Sequence, residues 1–359
     1  MGKKMKKISI CISAFNAERY VDRCFQSLLS LQSKPFEIIF IDDGSSDNTF
    51  KKAKKYSDIF PELYVYSLPH QGVGKARNTA LQKSSGDYVW AIDCDDTIPS
   101  NALDIFLDAL DKYDSDVIVG AVNLISQQGK IIRKFASDQE YYNIIPIEHP
   151  EISLYSSGFH VSMIIKKRIL TDHNIIYGED IVTSEDGVFL FSLVRKIKKM
   201  TIIQAPVYNY YIENPGSLSK CRSLEYYNDD LYAWSFLTQG TLTKTEEEYA
   251  AARTYYRIEE FFTQDIKIYL QNFSDANIKT VINCFIKHLA HTNICDKIIT
   301  SFIENGYSYL KMAAFMICIK NSDLLSAFKI VKFEMAANKL EKKSLSAKII
   351  KKFRRIFSR

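Results

Sequence analysis

The sequence has 359 residues, of which 47% are hydrophobic and 25% charged, and a formal net charge of +5. This is an ordinary globular composition, and the length exceeds what one mid-sized core needs, so two lobes are expected. Eight of the Lys and Arg residues fall within 342–359, which holds no acid, so the remainder carries −3; that balance argues against a general nucleic-acid binder.

The seven cysteines (Cys11, Cys24, Cys94, Cys221, Cys284, Cys295, Cys318) are scattered, with no pair at zinc-site spacing, which predicts buried thiols in a reducing compartment. The basic start is followed by the short apolar run Ile8–Ile12, not the longer one of a secretory signal. Met312–Ile319 is too short to span a bilayer. A cytoplasmic location follows as an expectation.

Residues 8–13 alternate as a short strand, Ala17–Leu31 carries apolar residues at helical spacing, and 36–41 is a nearly continuous apolar run. This predicts a strand–helix–strand unit with parallel strands and a right-handed crossover. The pattern repeats with a helix at about Asn48–Tyr56, a strand near Leu63–Ser67, a helix over Ala76–Lys83 and a strand at Tyr88–Ile92. Such alternation predicts an α/β layer architecture, continued by Asp116–Val122 and a mixed region to about 220. Beyond 222 helical patterns dominate, at Tyr249–Tyr269, Asn277–His291 and Ser322–Phe333.

Parallel sheets bind ligands at the carboxyl ends of their strands, and the polar residues cluster there. The first such loop is Ser13-Ala14-Phe15-Asn16-Ala17-Glu18, the second Asp42-Asp43-Gly44-Ser45-Ser46-Asp47-Asn48-Thr49, and the third Asp93-Cys94-Asp95-Asp96. Three carboxylates within four residues repel one another, and a hard divalent cation would relieve them. The competing reading is an acidic turn in which Asp96 caps the next helix. Asp43 offers an acceptor for a uracil imide or a ribose hydroxyl, while Ser46 or Asp47 suits an N-cap. Gly72-Val73-Gly74 lacks the third glycine of a dinucleotide fingerprint. Arg77, just beyond it, faces the acidic loop either as a ligand contact or as an ion-pair partner of Asp93.

Ser13-x-Phe15-Asn16, Asp42-Asp43-Gly44-Ser45-Ser46-Asp47, Gly72-x-x-x-Ala76-Arg77-Asn78, and Gly86-Asp87-Tyr88-Val89 running into Asp93-x-Asp95-Asp96 resemble, in order and spacing across about 6–125, the family 2 glycosyltransferases. The resemblance implies a GT-A (Rossmann-like) α/β fold with a mostly parallel central sheet, a nucleotide-diphosphate-sugar donor, and inverting transfer to an acceptor hydroxyl. It makes Ser13, Phe15, Asn16, Glu18, Asp43, Arg77, Asp93, Cys94, Asp95 and Asp96 donor-site candidates. Asp43 maps to the base contact and Asp95 to the ligand of a Mn2+ or Mg2+ ion. The family also places a Glu-Asp pair at the head of a helix. Of Glu179-Asp180 and Glu185-Asp186, the second matches better because Gly187-Val188-Phe189-Leu190 follows it, so Asp186 is taken as general base. Capping by Ser184, with acids favoured by the helix dipole, would account for the pair equally well. Tyr208-Asn209-Tyr210-Tyr211 and Ser217-Leu218-Ser219 resemble the family's aromatic strand and following loop.

The implied layout is a GT-A domain over 1–220 (donor half 6–125, acceptor half 126–220), a helical extension over 221–341, and a tail over 342–359. In the tail Leu345, Ile349, Phe353 and Phe357 recur every four residues among lysines and arginines. A basic amphipathic helix of this kind fits an anionic membrane surface, and a solvated helix end is the alternative. The expected partners are the sugar donor, a saccharide or lipid-linked saccharide acceptor, and the inner membrane face, without nucleic acid. Two other functions remain open: a nucleotidyltransferase with an acidic metal loop, and a non-catalytic scaffold of the same fold.

Overall fold

The computed structural model describes residues 7–32, 36–149, 160–212, 223–290, 292, 294–305 and 309–337. The chain divides into two compact units, Met1–Cys221 and Arg222–Arg359.

The first unit is built on a nine-stranded sheet. Strands β1 (Ile8–Ala14), β2 (Phe36–Asp42), β3 (Leu63–Ser67) and β4 (Tyr88–Asp93) are parallel, in the order β3-β2-β1-β4. The sheet continues through β8 (Met163–Lys166), β5 (Val117–Ile125), β9 (Met200–Tyr211) and β7 (Tyr141–Ile144), with β6 (Ile131–Phe135) paired to β5. β5 and β9 run parallel to each other, whereas β8 lies antiparallel to both β4 and β5. A parallel donor half thus passes into a mixed half.

Strand alternation explains how both faces are covered. Ile8, Ile10 and Ile12 share one core with Val21, Phe25 and Leu28 of helix α1 (Glu18–Leu29) and Leu103, Phe106 and Leu110 of helix α4 (Ala102–Tyr113). Cys11, Ile39 and Ile41, on the opposite face, meet Ala76 and Ala80 of helix α3 (Val73–Lys83). Further along that sheet, Phe189, Leu190 and Leu193 of helix α6 (Glu185–Val194) pack on Val117, Val119 and Met163. Two further short helices among the described residues are α2 (Thr49–Lys55) and α5 (Lys167–Asp172). The loops after β1, β2 and β4 come together because β1 lies between β2 and β4.

The second unit is helical among its described residues. The stretch expected as one helix over Tyr249–Tyr269 is α-helical from Lys244 to Glu260 and continues as wider π-turns over Phe261–Tyr269. There the buried Arg257 guanidinium bonds Asp265 at 3.0 Å and Asp230 at 2.7 Å. Helices follow at Asp275–Leu289, Cys295–Glu304, Leu310–Lys320 and 324–337. Among the described residues no helix is long and apolar enough to cross a membrane. The tail 342–359 and Ser217-Leu218-Ser219 lie outside the described residues.

Candidate active site

The first two loops are laced into one surface. The Asn16 N–H donates to Ser45 Oγ at 2.8 Å, and its Oδ1 accepts from the Ser46 N–H at 2.9 Å. The Glu18 carboxylate accepts from the Asn48 N–H at 3.1 Å and from its side-chain amide at 3.0 Å. Asp47 accepts from the N–H groups of Glu18 (3.0 Å) and Thr49 (2.9 Å), so one carboxylate serves the first turns of both α1 and α2. Asn16 and Glu18, candidates for the donor itself, therefore act on the loops that shape the site.

Asp43 is 4% exposed at its side chain and organises the third approach. Its carboxylate accepts from the Gln71 N–H at 2.9 Å and the Gly72 N–H at 3.0 Å, and it meets His70 Nδ1 at 2.9 Å. A carboxylate has about four acceptor positions, so roughly one is left for a nucleobase. Gly44 makes this fit possible: with φ at +74°, a Cβ there would lie 2.5 Å from the His70 nitrogen. Beside Asp43, Phe15 stacks on His70 with ring centroids 4.1 Å apart and is 47% exposed, a flat aromatic platform open to solvent.

At the end of β4, Asp93, Asp95 and Asp96 bring carboxylate oxygens within 4.8 Å of one another. Ser13 lies opposite Asp93 in the β1–β4 register. The three acids differ in what they touch. Asp93 accepts from Arg77 at 2.7 Å, and the same guanidinium donates to Glu185 at the head of α6. Asp96 is buried and accepts from the Tyr208 hydroxyl and the Tyr211 N–H, both at 2.8 Å, which ties β9 to the acidic loop. It caps no helix. Arg23 of α1 donates to the Asp95 carbonyl and lies 3.7 Å from the Tyr211 ring centroid. Cys94 was a donor-site candidate, but its side chain is 3% exposed and packed in the core beside Cys24. That side chain is a core element, and the loop's chemistry rests on its neighbours.

Arg77 is thus an ion-pair hub. Gly74, one turn earlier in α3, lets the helix approach closely: a Cβ there would lie 1.9 Å from the Gly178 carbonyl oxygen. Gly178 in turn donates its N–H to the Glu185 carbonyl at 3.1 Å. Arg77 therefore joins the acidic loop to the Glu185-Asp186 pair. Ser184 holds φ at +60° and makes no side-chain cap bond, so it does not cap α6, while Glu185 and Asp186 stand in the first turn, where the helix dipole favours acids. Asp186 is 35% exposed at its side chain and lies 3.4 Å from His160 Nδ1. Asp180 is exposed, and its neighbour Glu179 accepts from Asn78 at 2.8 Å. His160 escaped the sequence reading because it sits in a stretch without clear periodicity.

Charge follows contact. Burial alone would raise the Asp93 carboxyl, but Arg77, helped by His160, holds it below the usual range. Asp186 is likewise pushed up by burial and brought lower by His160 and Arg77, so it is ionised at neutral pH. Burial drives Asp96 well upward, and the charges of Asp95 and Asp93 add to it. The closeness of the three carboxylates is what a divalent cation would offset, and an all-oxygen carboxylate set suits magnesium or manganese.

These acidic loops lie at the carboxyl edge of an α/β sheet, where such sheets bind ligands, with a second acid at a helix head joined to them through Arg77. Residues 9–166 match the family model "Glycosyl transferase family 2". Among similar proteins, the poly(ribitol-phosphate) beta-N-acetylglucosaminyltransferase TarS of Staphylococcus aureus is 25% identical over 220 residues, 59% of this chain and 36% of TarS. The uncharacterized glycosyltransferase EpsJ of Bacillus subtilis is 25% identical over 221 residues, 59% of this chain and 63% of EpsJ. The alignments with these two relatives thus span less than two thirds of each relative's own length. The cholesterol galactosyltransferase of Borreliella burgdorferi is 24% identical over 307 residues, 82% of this chain and 79% of that protein. The solved structure of S. aureus TarS 1–349 in complex with UDP-GlcNAc superposes with a TM-score of 0.73 at 17% identity, over 91% of this chain and 90% of that one. The GT-A fold is therefore established for this chain.

Proposed function

We propose that the protein is an inverting glycosyltransferase that moves a sugar from a UDP-sugar to a hydroxyl of a surface polysaccharide or lipid-linked glycan. The observation that carries this reading is the bridge through Arg77, which joins the Asp93–Asp95–Asp96 cluster to the helix that begins Glu185-Asp186. A donor-side acidic loop and an acceptor-side base belong on one network in such an enzyme.

In this reading the Phe15–His70 platform and the remaining acceptor position of Asp43 take the uracil, with Ser13 beside the nucleoside. Asp95 is the principal ligand of a bound Mn2+ or Mg2+, with Asp93 and Asp96 shaping the cluster around it. Such an ion supplies Lewis-acid stabilisation of the charge that builds on the leaving diphosphate. Asp186 accepts the proton of the acceptor hydroxyl, whose oxygen forms the new bond to the anomeric carbon as the bond to the diphosphate breaks. An ionised carboxylate is needed for that step, and the environment of Asp186 keeps it so. The relatives' names support sugar transfer in general and differ in acceptor. The proposal extends to a cytoplasmic enzyme at the inner membrane face, on the strength of the basic amphipathic pattern in 342–359.

The test is a screen of nucleotide-sugars for nucleotide release with manganese, with magnesium, and with excess chelator. A UDP-sugar is expected to be turned over only with metal, and Asp95→Ala to remove that activity. Full turnover in chelator, or in Asp95→Ala, contradicts the reading.

A further inference from the structure

His160 has a job that packing alone does not explain. Its ring is 7% exposed and stands edge-on to Tyr177, with centroids 5.6 Å apart, while Tyr177 stacks on Phe189 of α6 at 4.2 Å. Its Nε2 is buried and has no hydrogen-bond partner among the described residues. An orphaned buried nitrogen carries a desolvation cost that an apolar residue of similar size would avoid. The other ring nitrogen faces Asp186 at 3.4 Å. Among the described residues, His160 is the cationic or imidazole side chain within ion-pair distance of Asp186, since Arg77 is shared by Asp93 and Glu185.

The backbone that follows His160 is tied to the sheet. The turn His160–Ser162 leads directly into β8, and the Val161 carbonyl accepts from the indole of Trp90 in β4 at 2.7 Å. The imidazole is therefore anchored to the strand that ends in the acidic loop, while Asp186 belongs to α6. Exposure gives the order of the two groups: Asp186, 35% exposed, faces outward, and His160 stands behind it.

We propose that His160 is a positioning residue for Asp186: its Nδ1–H holds one carboxylate oxygen and leaves the other turned to the acceptor hydroxyl. The proposal rests on Asp186 being the base, and it goes beyond that reading by fixing which oxygen works and what holds it. A 3.4 Å approach is long for a formed hydrogen bond, and such contacts tighten when substrate binds.

Two measurements on the full chain test it. Nitrogen-15 NMR of histidine-labelled protein, which needs no donor, should find His160 protonated at Nδ1, and Asp186→Ala should remove that preference. An Nε2–H tautomer, or one indifferent to Asp186→Ala, overturns the proposal. Kinetically, His160→Ala should lower kcat about ten- to hundredfold with little change in donor KM, as expected when a reacting group is misplaced by about an ångström. His160→Asn, whose amide nitrogen falls near Nδ1, should restore most of the loss, and His160→Gln should not. Asp186→Asn with His160→Ala should be no slower than Asp186→Asn alone, because one residue acts through the other. Full turnover in His160→Ala, or a double variant slower by the whole His160 factor, overturns the role. Wild-type turnover in Asp186→Asn instead overturns the base assignment, and the NMR result still reads the His160–Asp186 contact by itself.

Discussion

Asp186 sits beside His160 and within the field of Arg77, whereas Asp180, six residues earlier, is exposed. A general base works best partly shielded from water, and Asp186 is partly buried where Asp180 is exposed. Asp186→Asn keeps the size and removes the proposed base, so turnover should fall about 10²-fold or more while donor KM stays near wild type. Asp180→Asn should behave as wild type in the same steady-state assay; the reverse pattern would move the base to Asp180. The acidic loop at 93–96 was legible because three carboxylates in four residues after an apolar strand are chemically unusual. The division of labour inside it was not legible. Asp96 is set by Tyr208, 112 residues away, Asp93 by Arg77, and Cys94 by the core against α1. Such assignments depend on which distant side chain arrives, and the local sequence does not specify that.

Among the elements, β1 and β2 are joined by more than their ladder. Glu37 of β2 is buried and accepts from Ser9 Oγ of β1 at 2.6 Å and from Ser85 Oγ at 2.7 Å, with Lys7 at 3.2 Å. Burial would raise this carboxyl, but the bonds from Ser9 and Ser85 outweigh it and hold it at about 2, below the ordinary 4.5. A carboxyl depressed on folding stabilises the fold above its unfolded value. That stability is lost as pH falls from about 4.5 through about 2. Glu37→Gln should therefore lower the unfolding free energy at pH 7 by on the order of 2–3 kcal/mol. It should also flatten the acid limb of stability between those values, as read by denaturant melts across pH. An unchanged acid limb would show that Glu37 is not the group responsible. The elements themselves were legible where periodicity is local. β1 to β4 and the helices between them fall within a few residues of expectation. β6 to β8 did not declare themselves, since β7 has four residues, and of β9, which bulges along β5, only the aromatic end Tyr208–Tyr211 was expected. The π-turns after Glu260 also lay beyond the pattern, because they accompany a buried ion triad.

For the whole molecule, the N-terminal α/β unit carries the site, and the second unit is helical among its described residues. Membrane attachment is argued from the sequence of 342–359, where eight basic residues accompany an apolar stripe. Each basic residue near an anionic surface contributes roughly 1 kcal/mol, and salt weakens that term. Deleting 342–359 should release the protein from anionic vesicles in sedimentation while leaving UDP-sugar turnover intact. Equal sedimentation of the truncated chain would remove the tail from the account. The broader question is which bond of the donor breaks. Sugar transfer releases the nucleoside diphosphate, whereas nucleotidyl transfer from the same donor through a similar acidic loop would move UMP and release the sugar 1-phosphate. Phosphorus-31 NMR of a UDP-sugar incubated with enzyme and manganese distinguishes them in one spectrum. The account predicts UDP as the new phosphorus species, absent with chelator and strongly reduced in Asp186→Asn; a sugar 1-phosphate in its place would contradict it.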